Sequence, residues 1–282
     1  MELWIVRHGE TVDNINHVLQ GQQPGKLSEL GIAQARQTGV ELAKHKFSEV
    51  YCSDLGRTKE TLKHILESFP DAESPKINYC PLIREKGFGV LEGLKREVYQ
   101  SIVKQSGVPL RDYKPEGGES WHDVHQRAID FLDLLNHRFI WPEKSESKDV
   151  DCSMGLQNGL NNLNVKEPSK EIQEERKEGS TTGISGLHSK KHQENSGLPK
   201  VLVISHRGYM TELFNVINYI INKDNFVTLG DLGNCSIHVL KVSPVEGVNK
   251  DMENAKYEFI KKNDVSHLVN LHVKQKNQRM IC

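Results

Sequence analysis

The sequence has few apolar and few aromatic side chains for its length of 282 residues. Apolar residues make up 36% and aromatic residues 6%, whereas soluble globular chains contain about 45–50% apolar residues when glycine is counted. No run approaches the ~18 apolar residues that a membrane-spanning helix requires. The apolar run at 3–6 ends at Arg7 and His8 and is too short for the ~7–15 apolar residues of a signal peptide. We therefore expect neither a membrane span nor a signal peptide.

An excess of charge of either sign is also missing. Lys and Arg total 37 and Asp and Glu total 38, a formal net charge of -1. Proteins that bind nucleic acids or membrane surfaces usually carry a strongly basic balance or patch, so we expect no nucleic-acid partner and no membrane insertion. The five cysteines are an odd number with no C-x-x-C pair, which argues against a disulfide framework and a zinc site. This usage predicts the cytosol, with the nucleus and the outer mitochondrial surface as alternatives.

Aromatic residues are absent from one long segment, since no Phe, Tyr or Trp lies between Trp141 and Tyr209. Residues 143–198 are rich in Ser, Lys, Glu, Gly and Asn and poor in branched apolar side chains. Such a composition cannot bury enough apolar surface to offset the entropy lost on folding. The pattern predicts a single domain, formed by residues 1–142 and 199–282, that a disordered polar insert at 143–198 interrupts.

Outside that segment, strand and helix patterns alternate along the chain. Short apolar runs predict strands at 2–7, 48–52, 76–80, 200–205, 235–242 and 256–260. Apolar residues at helical spacing predict helices at 28–44, 54–66, 94–105, 120–139 and 209–221. The predicted helix caps are Ser28, Ser120 and the pair Ser53-Asp54. This order predicts an α/β fold, a three-layer αβα sandwich with a mostly parallel central sheet.

Four of the predicted strands end beside ionisable side chains. Arg7 and His8 follow the first strand, and Arg57 follows the second. Glu85 comes after the third strand, and His206 after the strand at 200–205. Each residue alone is more often an ordinary surface or hydrogen-bonded side chain. Because ligands bind where the carboxyl ends of parallel strands meet, we expect the whole set to form one site.

This set of side chains suits the transfer of a phosphoryl group onto an imidazole. A histidine nucleophile divides one difficult hydrolysis into two easier steps. Arginines bind phosphoryl oxygens in pairs of hydrogen bonds and neutralise the developing charge. A carboxyl group can protonate the leaving alkoxide and then activate water. A second histidine can donate a further hydrogen bond, and Gly9 would let the backbone pass close to the phosphate.

Longer motifs around these residues resemble the histidine phosphatase (phosphoglycerate-mutase-like) superfamily. RHGET at 7–11 resembles its defining motif, and the likeness continues through LQG at 19–21 and LSELGIAQA at 27–35. It extends over nearly the whole chain except the insert, through SDLGRTKET around Arg57, LIREKGFGVLEG around Glu85, PEGGES at 115–120 and VISHRGYM at 203–210. Within the family, the pattern resembles the TIGAR-type fructose-2,6-bisphosphatases.

The resemblance implies a role for each matched residue. His8 would carry the phosphoryl group, and Glu85 would donate and accept the proton. The phosphate pocket would be completed by Arg7, Arg57 and His206. Positions that contact the substrate in relatives match Asn14, Gln20 and Gly21. The family mechanism requires no metal ion and no other cofactor.

The sequence departs from the family pattern directly after the second histidine. Relatives most often have glycine there, whereas this chain has Arg207 followed by Gly208. Arg207 points either away from the pocket or, in the sharper hypothesis, towards the second phosphate of a bisphosphate. The basic candidates for such a distal phosphate are Lys86, Lys95, Arg96 and Arg207, and we predict Lys95 and Arg207 as substrate-binding residues. The alternative is that the exposed lysines only keep the protein soluble.

The resemblance implies a phosphoric monoester hydrolase that acts on a small phosphorylated sugar or glycolytic metabolite. The leading hypothesis is hydrolysis of fructose-2,6-bisphosphate, which would lower glycolytic flux. Gln22 follows Gly21 where mutases of the family carry tryptophan, which favours hydrolysis over mutase action. Two alternatives stay open. The chain is either a broader phosphatase for bisphosphoglycerate, other small phosphoesters or phosphoproteins, or a weakly active regulatory protein that binds a protein partner through the insert.

Overall fold

A computed structural model describes residues 1–70, 75–142, 197–223, 232–245, 247 and 252–271. The predicted insert at 143–198 lies outside the described residues, apart from its last two positions. Its boundaries and its disorder therefore stay predictions, as does the division of the chain into two parts of one domain.

Six strands of the described residues form one sheet. They are β1 (Glu2–Arg7), β2 (Glu49–Cys52), β3 (Lys76–Tyr79), β4 (Lys200–Ser205), β5 (Ile237–Pro244) and β6 (Ala255–Asp264). Their order across the sheet is β3-β2-β4-β1-β5-β6. The pairs β1–β4, β4–β2 and β2–β3 are parallel, whereas β5 runs antiparallel to β1 and β6. The predicted mostly parallel sheet is confirmed.

Helices pack on both faces of this sheet. They are α1 (Val12–Ile15), α2 (Glu29–Leu42), α3 (Gly56–Leu66), α4 (Arg96–Ser106), α5 (Trp121–Phe139) and α6 (Arg207–Asn222). Short 3-10 turns lie at Pro81–Ile83, Gly89–Leu91, Met252–Asn254 and Ser266–Leu268. Helices α2 and α3 pack together on one face, and α5 and α6 pack together on the other. The predicted three-layer αβα architecture is confirmed.

The alternation of side chains along the strands explains why both faces need helices. In β1, Leu3 and Ile5 join the core beneath α5 and α6, while Trp4 and Val6 join the core beneath α2 and α3. Successive strand side chains point to opposite faces. A strand that is apolar at nearly every position must therefore be buried on both faces, as in parallel sheets.

Two of the predicted helix starts are confirmed and one is wrong. The side chains of Ser28 and Ser120 cap α2 and α5 by accepting backbone N–H groups of the first turn. The pair Ser53-Asp54 does not cap α3, which begins two residues later without a side-chain cap. The reason is that the carboxylate of Asp54 accepts hydrogen bonds from the guanidinium of Arg84 instead. This ion pair joins the loops that follow β2 and β3.

Candidate active site

The side chains at the four strand ends meet at the carboxyl edge of the sheet. Strands β1, β4, β2 and β3 are parallel neighbours, so the residues that follow them lie side by side. A cavity of about 540 Å³ opens at this edge, and its lining includes Arg7, His8, Arg57 and Glu85. The ring of His206 lies 5.3 Å from the ring of His8.

His8 is buried, and its ring is held in one tautomer. Its backbone N–H donates to the carbonyl of Ser205 (2.9 Å), and its Nδ1 lies 2.8 Å from the carbonyl oxygen of Gly9. Because a carbonyl only accepts, Nδ1 carries the proton and Nε2 keeps its lone pair. Burial, together with the charges of Arg57 and Arg7, holds the pKa of His8 well below its usual 6.5. The imidazole is therefore neutral, and the lone pair of Nε2 is available.

Gly9 is required by the packing of α2. A Cβ atom at Gly9 would lie 2.6 Å from the carbonyl oxygen of Gly31 in α2, closer than side-chain atoms approach. The backbone N–H of Gly9 donates to Oγ1 of Thr61 in α3 (3.0 Å). A glycine is thus needed at this position because α2 packs closely against the backbone. The sequence reasoning had attributed the glycine to the close passage of a phosphate.

Two buried arginines bring positive charge to the cavity. Arg57 is 1% exposed and donates from Nη1 to the carbonyl of Gln23 (2.7 Å) and from Nη2 to that of Gly21 (2.8 Å). Arg7 donates from Nη1 to the carbonyl of Leu232 (2.6 Å). Burial lowers the pKa of Arg57 to about 10, so the guanidinium stays charged at neutral pH. Backbone carbonyls thus hold both guanidinium groups in place, and such groups can bind anionic oxygens.

His206 lies behind Arg57 and is not part of the cavity lining. Nε of Arg57 donates to Nδ1 of His206 (3.1 Å), and Nε2 of His206 lies 2.8 Å from Oγ of Ser53. Because a guanidinium only donates, Nδ1 is unprotonated and Nε2–H donates to the serine. Burial, together with the charge of Arg57, lowers the pKa of His206 well below 6.5. In this arrangement His206 orients Arg57, and its contact with the phosphate, which the resemblance implied, stays a prediction.

Glu85 lines the cavity and binds the start of α6. Its Oε1 accepts the backbone N–H groups of Lys86 (2.9 Å) and Tyr209 (3.2 Å), and its Oε2 accepts that of Gly208 (3.0 Å). Gly208 and Tyr209 belong to the first turn of α6, where N–H groups lack partners within the helix. The residues that follow His206 therefore fix the carboxyl group of Glu85.

Four of the predicted substrate-binding residues line the same cavity, namely Asn14, Gln20, Gly21 and Arg207. Lys95 does not. It is exposed, and its Nζ donates to the carbonyl of Asn16 (2.6 Å). Lys86 is buried, its Nζ donates to the carbonyl of Glu119, and burial lowers its pKa to about 8. The structure therefore brings neither lysine to the cavity.

The charged wall of the cavity includes residues that the sequence reasoning missed. Arg96 was a candidate cation, but Arg111 and Glu212 were not predicted. Nη1 and Nη2 of Arg111 donate to the two carboxylate oxygens of Glu212 (2.9 and 3.0 Å), and Nδ1 of His125 lies 3.1 Å from one of them. Five arginines and two glutamates line the cavity, so its positively charged side chains outnumber its carboxyl groups. The i, i+4 spacing of Gly208 and Glu212 on α6 is the signal that could have placed Glu212.

Apolar and aromatic side chains form a further part of the wall. Leu19, Phe88 and Tyr99 form a small cluster with Val103, and the rings of Phe88 and Tyr99 meet edge to face at 5.1 Å. Trp121, the first residue of α5, also lines the cavity. Such a wall can pack against the carbon skeleton of a ligand while the arginines bind its phosphates.

Comparison with known proteins identifies the family. Residues 3–139 match the model of the histidine phosphatase superfamily, branch 1. The fructose-2,6-bisphosphatase TIGAR of Xenopus tropicalis is 31% identical over 248 residues, which are 88% of this chain and 84% of that protein. The Bos taurus protein of that name is 37% identical over 134 residues, 47% of this chain and 50% of that protein. The chain belongs to the histidine phosphatase superfamily and is a phosphatase.

Solved structures of low sequence identity share the fold. The Bacillus stearothermophilus protein YhfR is 18% identical with a TM-score of 0.60, and the alignment covers 95% of this chain and 98% of that one. A protein described as mycobacterial hydrolase 1 is 21% identical with a TM-score of 0.59, covering 93% and 98%. Both comparisons support the α/β architecture.

Two features are absent from the described residues. No described helix is both long and apolar enough to cross a membrane. The described residues also contain no group of three or more His, Cys, Asp or Glu side chains that could hold a metal ion.

Proposed function

We propose that this chain hydrolyses fructose-2,6-bisphosphate through a phosphohistidine on His8. The observation that carries the proposal is the neutral imidazole of His8, with Nε2 unprotonated, in a cavity whose lining bears five arginines. An excess of positive charge in a cleft favours a strongly anionic ligand such as a bisphosphate. The relatives from Xenopus tropicalis and Bos taurus are both named fructose-2,6-bisphosphatases, which supports this sugar as the substrate.

In the first step, Nε2 of His8 attacks the phosphorus of the 2-phosphate. The bond from nitrogen to phosphorus forms while the bond from phosphorus to the sugar oxygen breaks, and the carboxyl group of Glu85 gives its proton to the leaving alkoxide. Arg7 and Arg57 bind the phosphoryl oxygens and offset the charge that develops on them. This step yields fructose 6-phosphate, the phosphohistidine and the carboxylate form of Glu85.

In the second step, water attacks the phosphohistidine. The Glu85 carboxylate takes a proton from the water as the bond from oxygen to phosphorus forms, and the bond to Nε2 of His8 breaks. Inorganic phosphate leaves, and both residues return to their starting forms. Buried arginines supply the positive charge that metal ions supply in many other phosphoryl-transfer enzymes, so we propose that the reaction is metal-independent and requires no other cofactor.

The second phosphate of the substrate would bind among three further arginines of the lining. Arg207 is the first residue of α6 and Arg96 the first residue of α4, so the helix dipoles add to the charge of both side chains. Arg111 shares its charge with Glu212, and we propose Arg207 and Arg96 as the principal distal cations because both begin a helix. Binding one phosphate at His8 and the other at these arginines would orient the bond to be broken.

A second candidate function is hydrolysis of a wider range of small phosphoesters, including bisphosphoglycerate. The observation that favours it is the wall formed by Leu19, Phe88, Tyr99 and Trp121, because apolar contacts accept many carbon skeletons. A weakly active regulatory protein that binds a partner through the 143–198 insert is the third candidate. It would be favoured if the activity test below failed.

Removal of fructose-2,6-bisphosphate would lower glycolytic flux, and we propose this as the physiological consequence. The proposed compartment is the cytosol, because an odd number of cysteines without a C-x-x-C pair is typical of a reducing compartment. The nucleus and the outer mitochondrial surface are the alternatives.

Transfer of radioactive phosphorus from the 2-phosphate of labelled fructose-2,6-bisphosphate tests the proposal. We expect acid-labile, base-stable label on His8 and loss of both label and hydrolysis in His8→Ala. The matched control is His122→Ala, since His122 is exposed and paired with Asp112, and it should keep both. Hydrolysis at the wild-type rate by His8→Ala would refute the phosphohistidine mechanism. Comparison of kcat/KM for fructose-2,6-bisphosphate, bisphosphoglycerate and phosphoenolpyruvate decides between the two enzymatic candidates.

A further inference from the structure

The chain segment that carries Glu85 lies between two cavities. Glu85 itself lines the 540 Å³ cavity that contains His8. A second cavity, of about 380 Å³, is lined by residues on either side of it in the sequence, Arg84 and Gly87, and by Arg127 of α5. The side chain of Lys86 is fully buried, and hydrogen bonds to the backbone add to this packing in holding residues 84–87 between the two cavities.

Arg127 provides several of these hydrogen bonds. It is 8% exposed, and its Nη1 donates to the carbonyls of Leu82 (2.6 Å) and Arg84 (2.9 Å). Its Nη2 donates to the carbonyl of Glu85 itself (3.3 Å). One planar guanidinium thus binds three carbonyl groups within four consecutive residues, and lysine could not reproduce this fixed geometry.

Glu119 holds the same guanidinium from the other side and also binds the segment directly. Nε and Nη2 of Arg127 donate to the two oxygens of the Glu119 carboxylate, each at 2.9 Å. The same carboxylate accepts the backbone N–H of Gly87 (2.7 Å). The pair of Arg127 and Glu119 therefore binds carbonyl groups up to residue 85 and an N–H group at residue 87, on both sides of the Glu85 Cα atom.

We propose that Arg127, paired with Glu119, is a positioning residue for the proton transfer by Glu85. The inference rests on the proposed function, since it assumes that Glu85 protonates the leaving alkoxide. Arg127 lines the second cavity and is not among the residues that line the cavity around His8, so it acts through the backbone of Glu85. A misplacement of a catalytic group by about 1 Å can lower a rate about 100-fold.

The test compares leaving groups that need a proton with leaving groups that do not. A sugar alkoxide requires protonation, whereas the dinitrophenolate of 2,4-dinitrophenyl phosphate leaves without it. In Arg127→Leu we expect kcat for fructose-2,6-bisphosphate to fall about 10- to 100-fold with little change in KM. The burst of dinitrophenolate in rapid mixing, which reports only phosphorylation of His8, should keep its rate. Arg127→Lys should show the same pattern, and it retains the charge beside Glu119 if Arg127→Leu fails to fold.

The matched control is Arg138→Leu, the same change near the other end of α5, where Arg138 pairs with Glu49. It should leave both rates unchanged. Equal losses of sugar hydrolysis and of the dinitrophenolate burst in both Arg127 variants would show general damage to the site and overturn the positioning role. So would unchanged sugar hydrolysis. Glu85→Gln separates the two proposals, because full sugar hydrolysis by that variant would overturn the assumed proton transfer itself.

Discussion

Replacement of Arg207 by glutamine should weaken the binding of a bisphosphate selectively. The change keeps a polar side chain at the start of α6 and removes one of the five positive charges of the cavity lining. A hydrogen bond to a charged partner contributes about 1.5–3 kcal/mol to binding. Arg207 is only partly buried, so solvent screening favours the lower value, about 1.5 kcal/mol, which corresponds to about a tenfold change in affinity.

The assay is a comparison of KM for a bisphosphate and a monophosphate. For fructose-2,6-bisphosphate we expect KM to rise about tenfold with kcat nearly unchanged, because Arg207 would not contact the phosphoryl group that is transferred. For p-nitrophenyl phosphate, which has a single phosphate for His8, KM should stay the same. The control Lys95→Gln removes the same charge from an exposed side chain that is bonded to Asn16 outside the lining.

Two results would refute this reasoning. An equal rise in KM for both substrates would mean that Arg207 acts on the phosphate at His8 or on the site as a whole. An equal effect of Lys95→Gln would mean that the general field of the protein, and no specific contact, sets the affinity.

Three further predictions concern buried ionisable groups. His8 has a pKa well below its usual 6.5 because of burial and the nearby arginines, so its ring signals in NMR spectra should not titrate as the pH falls through 6.5, and a titration there would contradict this assignment. Burial also lowers the pKa of His238 from 6.5 to about 4. The unfolded chain then binds the proton first, so the free energy of unfolding should decrease by at most about 3 kcal/mol between pH 6.5 and 4, and urea titrations of His238→Gln should show a smaller decrease. Arg111→Leu leaves the buried Glu212 without its bidentate partner and should lower the free energy of unfolding by about 3 kcal/mol. Arg36→Leu breaks an exposed ion pair and should cost less than about 1 kcal/mol, so similar losses in the two variants would argue against the buried pair.

The elements that local patterns predicted well are those with a strong apolar repeat. KVLVIS at 200–205 is apolar over most of its length and forms β4 at the predicted residues. The predicted strand at 235–242 begins only at Ile237, because Cys235 has a φ of +55° and this left-handed backbone cannot continue a strand. Strand β6 continues past its predicted end at 260 to Asp264, which pairs with Ile237 of β5. The polar residues KKND at 261–264 follow no strand pattern. They are part of a strand only because they pair with the neighbouring strand β5.

Local sequence patterns determine the position of some residues of the candidate site, and tertiary contacts determine the position of others. From the sequence alone it follows that His8, Arg57 and Glu85 stand after parallel strands, because strand order and apolar runs are local properties and parallel strands end at one edge. The tertiary structure alone decided which further cations line the cavity. Lys86 is turned away to the carbonyl of Glu119, 33 residues further along the chain.

Arg111 could not be predicted from the sequence, because a distant residue also determines its position. Its place in the cavity wall depends on Glu212, which is 101 residues away, and no local spacing records that contact. His206 likewise follows β4 as predicted, but Arg57 and Ser53 determine which way its ring nitrogens face. The residue type and its neighbours in the sequence determined the charge and the chemistry available at this edge. The direction of each side chain was decided by the distant donor or acceptor that satisfies it, because a buried polar group without a partner costs about 1–3 kcal/mol.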